Sequence, residues 1–131
     1  MKTDIDIKDD VYKIIKGSML DEAVTGKLSK TKRPNKSEKE DIVISVLANR
    51  NAEIQEAFVN VNIYVADNIR DGQAEENTIR LRELCQMASE LFKVQRGDSY
   101  RLTLDAQRVM EVNGKNEHFI NNKLLYRQCN E

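Results

Sequence analysis

Few residues in this 131-residue chain are of the types that most often carry chemistry. The chain holds one histidine, His118, and two cysteines, Cys85 and Cys129. A zinc site at His118 would need further ligands, and the adjacent Glu117 would point to the opposite face of a strand. Cys85 falls on the apolar stripe of a predicted helix, which is typical of an unreactive core thiol. We therefore expect no metal site, and we expect a structural or interface role for His118.

The carboxylates are plentiful, but their spacing does not bring two of them into one cleft. Glu75 and Glu76 are neighbours, and adjacent positions on a helix do not face each other. General acid–base catalysis requires groups that converge on the reacting atoms. The sequence contains no glycine-rich phosphate-binding loop and no nucleophile elbow. A Cys–His pair with a third orienting group stays open, but the pattern indicates a protein that is not an enzyme, with no catalytic residues and no cofactor.

The composition is that of a globular domain. The chain is 40% hydrophobic and 33% charged, with a net charge of -1, so it shows no global bias toward nucleic acid or membrane. Its length suits one domain spanning residues 1–131. Residues 1–10 carry four aspartates and no apolar run, which does not fit a secretory signal. Two cysteines without a framework indicate a reducing compartment.

The most regular pattern is a strand followed by the longest helix. Alternating valine and isoleucine predict a strand over residues 54–66 with one buried face. A polar loop over residues 67–72 ends it, and apolar residues at spacings of three and four then predict a helix from residue 73 to residue 96. The two apolar faces should pack together. The predicted contact joins Val59, Val61, Ile63 and Val65 to Leu84, Cys85, Ala88 and Leu91.

The remaining elements follow from caps, turns and alternation. We predict helices over residues 9–16 and 18–25, and strands over residues 27–30, 41–47, 100–112 and 118–129. Strand 41–47 should be buried on both faces because it is nearly all apolar. The strands come in hairpins, so the sequence predicts an α+β fold. Its mostly antiparallel sheet should have about five strands, with one long helix and short N-terminal helices packed on it.

Residues 27–40 form a basic segment around the single proline, Pro34. Pro34 disfavours helical geometry at Arg33, which predicts an exposed, projecting loop. Such a loop suits contact with an acidic surface or with nucleic acid, or it is simply a solvated loop. No aromatic residue is interleaved with the charges, which weakens an interpretation as a single-strand binding site.

The order of elements resembles a specific family. The segments that carry the resemblance are Asp-Val-Tyr-Lys-Ile-Ile at 10–15, Thr-Gly-Lys-Leu at 25–28, Lys-Arg-Pro at 32–34, Glu-Asp-Ile-Val-Ile-Ser at 40–45 and Val-Asn-Val-Asn-Ile-Tyr-Val at 59–65. With the long helix that follows, they resemble the tail terminator and tail completion proteins of long-tailed bacteriophages. The resemblance covers residues 11–92 and extends more loosely through the terminal hairpin.

The resemblance implies a structural virion component that assembles as a ring, commonly a hexamer. Such a ring caps the tail tube protein and joins the tube to the head connector, with no cofactor, no membrane and no specific nucleic acid. The protein would be found in the host cytoplasm during assembly and then in the virion tail. The alternative is a small α+β adaptor that binds a protein partner or, less favoured, a nucleic acid or a small molecule.

A closed ring needs two different surfaces on each subunit. The sequence offers a positive group on the basic loop and a negative group around the start of the long helix. The candidate interface residues are Lys30, Lys32, Arg33 and Lys36 on the positive side, and Asp67, Asp71, Glu75 and Glu76 on the negative side. We expect reversal of Lys32 and Arg33 to leave folding intact and to prevent assembly.

Overall fold

The computed structural model describes residues 1–129 and places three helices and eight strands along them. The helices are α1 Asp4–Ile15, α2 Met19–Ala23 and α3 Thr78–Phe92. The strands are β1 Leu28–Ser29, β2 Ile42–Arg50, β3 Ile54–Ala66, β4 Asn68–Arg70, β5 Gln73–Glu75, β6 Val94–Arg96, β7 Tyr100–Glu111 and β8 Glu117–Cys129.

Six of these strands form one sheet in the order β1-β2-β3-β8-β7-β6. β1 is parallel to β2, and the other neighbours are antiparallel. The predicted α+β class is confirmed, but the sheet is mixed and has six strands where about five were expected. β3 and β8 pair over their whole length, from Ile54 opposite Cys129 to Ala66 opposite Glu117. This pair forms the centre of the sheet.

One face of the sheet carries the core. The alternation predicted for β3 is confirmed, since Val59, Val61 and Ile63 are fully buried. α3 lies over β7 and β8, whereas α1 lies over β2. The predicted helix face is confirmed at Leu84 and Ala88, which are fully buried in the same cluster as the β3 valines. Cys85 and Leu91 are only partly buried and pack at its margin.

The long helix is shorter than predicted because the preceding segment forms a hairpin. α3 begins at Thr78, where the Asn77 side chain accepts a hydrogen bond from the backbone N–H of Arg80. Asp71 and Gly72 have φ angles of 51° and 76°. Two consecutive positive φ angles are those of a type I′ turn, so β4 and β5 pair across it. After residue 92 the chain enters β6, and no part of β6 is helical.

The first helix begins earlier than predicted. The Thr3 hydroxyl accepts from the backbone N–H of Asp6, whose carboxylate accepts from the backbone N–H of Thr3. This capping box fixes the start of α1 at Asp4, where the sequence analysis expected residue 9. Ile7, Val11 and Ile15 lie four residues apart and are fully buried. The Ser18 cap predicted for the second helix is confirmed, but α2 is only five residues long.

Two bulges change which side chains of β2 and β7 face inward, and the first corrects the prediction that strand 41–47 is buried on both faces. β2 is buried on both faces only over its first three residues, and its register shifts at Leu47, which is 60% exposed. β7 has a register shift at Asp105. Because a bulge adds one residue, it reverses which side chains face inward. Leu102 is therefore buried before the bulge, whereas Gln107 faces α3 after it and donates to the Cys85 carbonyl at 3.1 Å.

Within residues 1–129, no helix has both the length and the apolar character needed to span a membrane.

Candidate partner interface

The segments that carry the predicted interface residues meet at one end of the sheet. The basic loop leads into β2, the β4–β5 hairpin follows β3, and a five-residue turn joins β7 to β8. The register places Ile42 opposite Ile63 and Ala66 opposite Glu117, so these three connections lie together. The positive and negative groups are thus at the same end of the molecule, beside one another.

The β4–β5 hairpin, residues 68–75, projects from this end and is called the arm below. Its two strands form a separate two-stranded sheet, and among residues 1–129 they pair only with each other. Nearly every arm residue is exposed, including Ile69 at 65%. A two-stranded hairpin is marginally stable in water by itself. Ile69 is the one large aliphatic side chain of the arm, and it lines a groove together with Glu38 and Lys115 at this end of the sheet.

His118 holds the arm at its base. Its Nδ1 lies 2.6 Å from Oδ1 of Asp67, which immediately precedes β4. Its Nε2 lies 3.9 Å from Oε2 of Glu76, which immediately follows β5. The imidazole thus contacts both ends of the arm. The Asp67 carboxylate is 7% exposed, so Asp67 serves as the internal partner of His118, and only a small part of it reaches the surface.

Arg33 also lies inside the protein, where the sequence predicted an exposed loop residue. Its Nε donates to Asp41 at 2.7 Å, and its two Nη atoms donate to the Glu117 carboxylate at 2.8 and 2.6 Å. The Arg33 side chain is only 13% exposed. The prediction of an exposed Arg33 is wrong because two buried carboxylates draw the guanidinium down onto the end of the sheet.

The pKa values of this cluster follow from its hydrogen bonds. The Glu117 carboxylate raises the pKa of Arg33 above its usual value, although burial opposes the shift. Burial favours the neutral form of Asp41, but hydrogen bonds from Ser37, Arg33 and the backbone of Lys27 outweigh it. They hold the pKa of Asp41 below its usual value. Arg33 and Asp41 are therefore both charged at neutral pH, and the hydrogen bonds of Arg33 to Glu117 join the basic loop to β8.

The other candidate charges divide between paired and exposed groups. Lys30 donates to Asp9 of α1 at 2.9 Å and lies over the Tyr12 ring. Lys32 and Lys36 on the loop are exposed, as are Asp71 and Glu75 on the arm and Glu76 at its end. Lys30 is exposed as well although it is paired with Asp9, so these six residues are the part of the predicted interface that faces solvent. Sequence reasoning missed the Arg33 partner Glu117, which is 84 positions away and has no local signal.

Metal and thiol chemistry find little support in the geometry. Within the described part of the chain, no three His, Cys, Asp or Glu side chains converge as potential metal ligands. Burial raises the pKa of the Cys85 thiol, which disfavours the reactive thiolate.

Comparison with known protein families finds no family that matches the chain, and comparison with curated proteins finds no significant match.

Proposed function

We propose that this protein is a structural, non-catalytic subunit of a long-tailed phage tail. It assembles into a ring, commonly a hexamer, that caps the tail tube and joins it to the head connector. The proposal places the protein in the host cytoplasm during assembly and then in the virion tail. The observation that carries it is the projecting arm, which exposes an isoleucine and three acidic residues at or beside its strands.

The placement of the exposed charges supports side-by-side assembly. The basic loop and the arm lie at the same end of the sheet. Subunits arranged around one axis therefore carry both groups at the same height, and Lys32 and Lys36 of one copy can face Asp71 and Glu75 of the next. Exposed ion pairs contribute about 0–1 kcal/mol each, so they set register and encounter rate while apolar contacts hold the ring.

The test uses charge reversal at residues that do not support the fold. We expect Lys32→Glu with Lys36→Glu to fold normally, because both side chains are exposed, and to lose assembly. Asp71→Lys with Glu75→Lys should restore part of the assembly in the reversed background. Lys93→Glu, also exposed but at the C-cap of α3, is the matched control. Mass by light scattering and the length of tail tubes capped in vitro are the measurements.

The outcomes separate the proposal from its alternative. Tubes of uniform length in the presence of the wild-type protein would support a terminator. A protein that stays monomeric with and without tail tube protein, and does not limit tube length, would overturn it. Such a protein would fit the second hypothesis, an adaptor that binds a different partner through the same arm. Full assembly of the variant with Lys32→Glu and Lys36→Glu would show that these two lysines do not contribute to the interface.

A further inference from the structure

The face of the six-stranded sheet opposite the core, called the open face below, carries a line of positive charge. The buried apolar side chains of all three helices belong to the core on the other face. On the open face, the strand register aligns one residue from each of β2, β3, β8, β7 and β6 across the sheet. In that order these residues are Arg50, Glu56, Arg127, Arg101 and Arg96, called the arginine row below. Four strand spacings give the row a length of about 19 Å.

The arginine row points away from the core and is short of negative charge. In β3, Glu56 lies between Gln55 and Ala57, which are fully buried, so its row faces the opposite side. All four arginines are exposed. Glu56 pairs with Arg127 at 3.3 Å, whereas the other three arginines have no carboxylate partner among residues 1–129. Arg101 lies directly opposite an arginine on each side. Like charges opposite each other destabilise a sheet, so the row is suited to an anion that neutralises it.

The chemistry of the open face changes from one row to the next. About 7 Å along the strands from the arginine row lies an apolar row, which includes Phe58, Leu125 and Val94. These three side chains are exposed or partly exposed. The row beyond it is polar and includes Asn60 opposite Lys123. A single strand of nucleic acid offers the matching groups in the same order, which are charged phosphates, flat base faces and polar base edges.

We propose that the open face binds single-stranded nucleic acid, with phosphates on the arginine row and a base stacked on Phe58. The guanidinium group of arginine forms two parallel hydrogen bonds to phosphate, and several arginines in line suit a linear polyanion. The Lys123 ammonium lies 4.4 Å from the centre of the Phe58 ring. This flexible side chain turns to a phosphate when a base takes its place on the ring.

This binding goes beyond the proposed function and does not depend on it. The arginine row and Phe58 belong to one chain, so the site is complete without a neighbouring subunit. Contacts to phosphates and stacking on a ring also do not read base sequence, so the binding is general for single strands.

Fluorescence anisotropy with labelled oligonucleotides of about 20 nucleotides tests the inference. Oligo-dT and oligo-U are the single-stranded probes, and a DNA duplex of the same length and a polyglutamate peptide are the comparison probes. Both single strands should bind with similar Kd values of about 10⁻⁶–10⁻⁴ M, because neither contact involves the sugar. A plot of log affinity against log salt should have a slope of about −2 to −3, since each phosphate contact contributes about −0.7.

A double variant of the arginine row should weaken this binding. Arg96→Gln with Arg101→Gln should raise the Kd for single strands at least about tenfold and reduce the salt slope by about 1.4. Both side chains are exposed, and their removal relieves like-charge repulsion, so the urea midpoint should not fall. The matched control is Arg82→Gln with Lys93→Gln, which removes two exposed positive charges at α3 and its C-cap. This control should bind single strands like the wild type.

Phe58→Leu separates a nucleic-acid strand from other anions. The change keeps an apolar side chain at a partly buried position and removes only the ring. Binding of both single strands should weaken about fivefold or more, because stacking of one base contributes about 1–3 kcal/mol. Binding of polyglutamate, which has no base to stack, should stay unchanged.

Three results would overturn the inference. The first is that the folded wild-type protein binds neither single strand at about 50 mM salt. The second is tighter binding of polyglutamate than of both single strands, with no effect of Phe58→Leu, which would assign the arginine row to an acidic protein partner. The third is tighter binding of the duplex than of the single strands.

The proposed function fails or stands separately. A protein that caps tail tubes but binds no single strand contradicts this inference alone. A protein that binds single strands as expected but forms no ring and caps no tube supports this inference and contradicts the proposed function.

Discussion

The guanidinium carbon of Arg33 lies 4.3 Å from the centre of the Tyr64 ring, on the face of the sheet opposite the core. The same guanidinium binds the Glu117 carboxylate through two hydrogen bonds. Tyr64 stands on β3 and Glu117 on β8, so Arg33 fastens the basic loop across the two central strands. Lysine could not replace Arg33 here, because an ammonium group does not form two parallel hydrogen bonds to a carboxylate while it stacks on an aromatic ring.

We predict that Arg33→Gln destabilises the protein by on the order of 3 kcal/mol. The change leaves the buried carboxylates of Asp41 and Glu117 without their cation, and breaking one side of a buried ion pair is costly. Lys32→Gln, one residue earlier and exposed, should change stability by less than about 0.5 kcal/mol. Urea denaturation of both variants measures the difference. Equal stabilities would show that the cluster does not hold the loop.

The position of Arg33 also alters the expected outcome of reversing its charge. A glutamate at this position would place a third carboxylate beside Asp41 and Glu117. We therefore expect Lys32→Glu with Arg33→Glu to lose folding as well as assembly, contrary to the expectation from the sequence. This is why the charge reversal proposed above uses Lys32 and Lys36.

Asp41 should make stability depend on pH in acid. Since the pKa of Asp41 is lower in the folded state, its contribution is fully present above the unfolded value of about 4. The contribution is lost as the pH falls through the lower folded pKa. Asp41→Asn should therefore be less stable than the wild type near neutral pH, and the gap should narrow at about pH 2. Urea midpoints at several pH values test this, with the exposed Asp98→Asn as control. A gap that stays constant with pH would contradict it.

Leu84→Ala should cost about 2–5 kcal/mol, because Leu84 is fully buried where α3 meets the sheet and its removal leaves a cavity. Arg82→Ala on the exposed side of α3 should cost much less. Chemical denaturation gives both values. A loss below about 0.5 kcal/mol for Leu84→Ala would mean that α3 packs on another face.

The two cysteines should react at different rates. Cys129 is exposed, whereas Cys85 is partly buried and burial raises the pKa of its thiol. A thiol reagent should modify Cys129 rapidly in the native protein and Cys85 mainly after denaturation. Cys129→Ser should remove the fast phase. A fast phase that survives in this variant would place Cys85 in a more open environment.

His118→Ala should leave the protein folded and loosen the base of the arm, because both His118 contacts lie at the ends of that hairpin. Amide hydrogen exchange of residues 68–75 should become faster while exchange in β3 and β8 stays unchanged. We also expect no hydrolytic activity and no bound zinc in either protein. Stoichiometric zinc in the wild type that disappears in the variant would overturn this structural assignment of His118.

Sequence patterns predicted the elements that follow a regular period. Alternation located β3 because its valines face a continuous core, and spacing located the buried side of α3. Alternation does not assign the buried face where one residue interrupts the period, as Asp105 does in β7. Sequence reasoning failed at Asp71-Gly72, where a turn signal was present but the acidic residues that follow suggested the start of a helix.

The interface was predictable only as a distribution of charge. Exposure of Lys32, Lys36, Asp71 and Glu75 follows from their polarity and their place in connections. The inward direction of Arg33 and Asp67 depends on Glu117 and His118, which come from the last strand. These pairings cannot be predicted from the local sequence, because the residues are far apart along the chain and only the register of the sheet brings them together.

The position of β8 has a consequence for synthesis of the protein on the ribosome. β3 is a central strand, but its partner β8 begins more than fifty residues after β3 ends and is therefore made much later. Until β8 emerges from the ribosome, β3 can form backbone hydrogen bonds on one edge only, to β2. Pairings between strands that are far apart in sequence also form slowly. The growing chain therefore carries an open, apolar strand edge, which favours chaperone binding during translation and aggregation when chaperones are scarce.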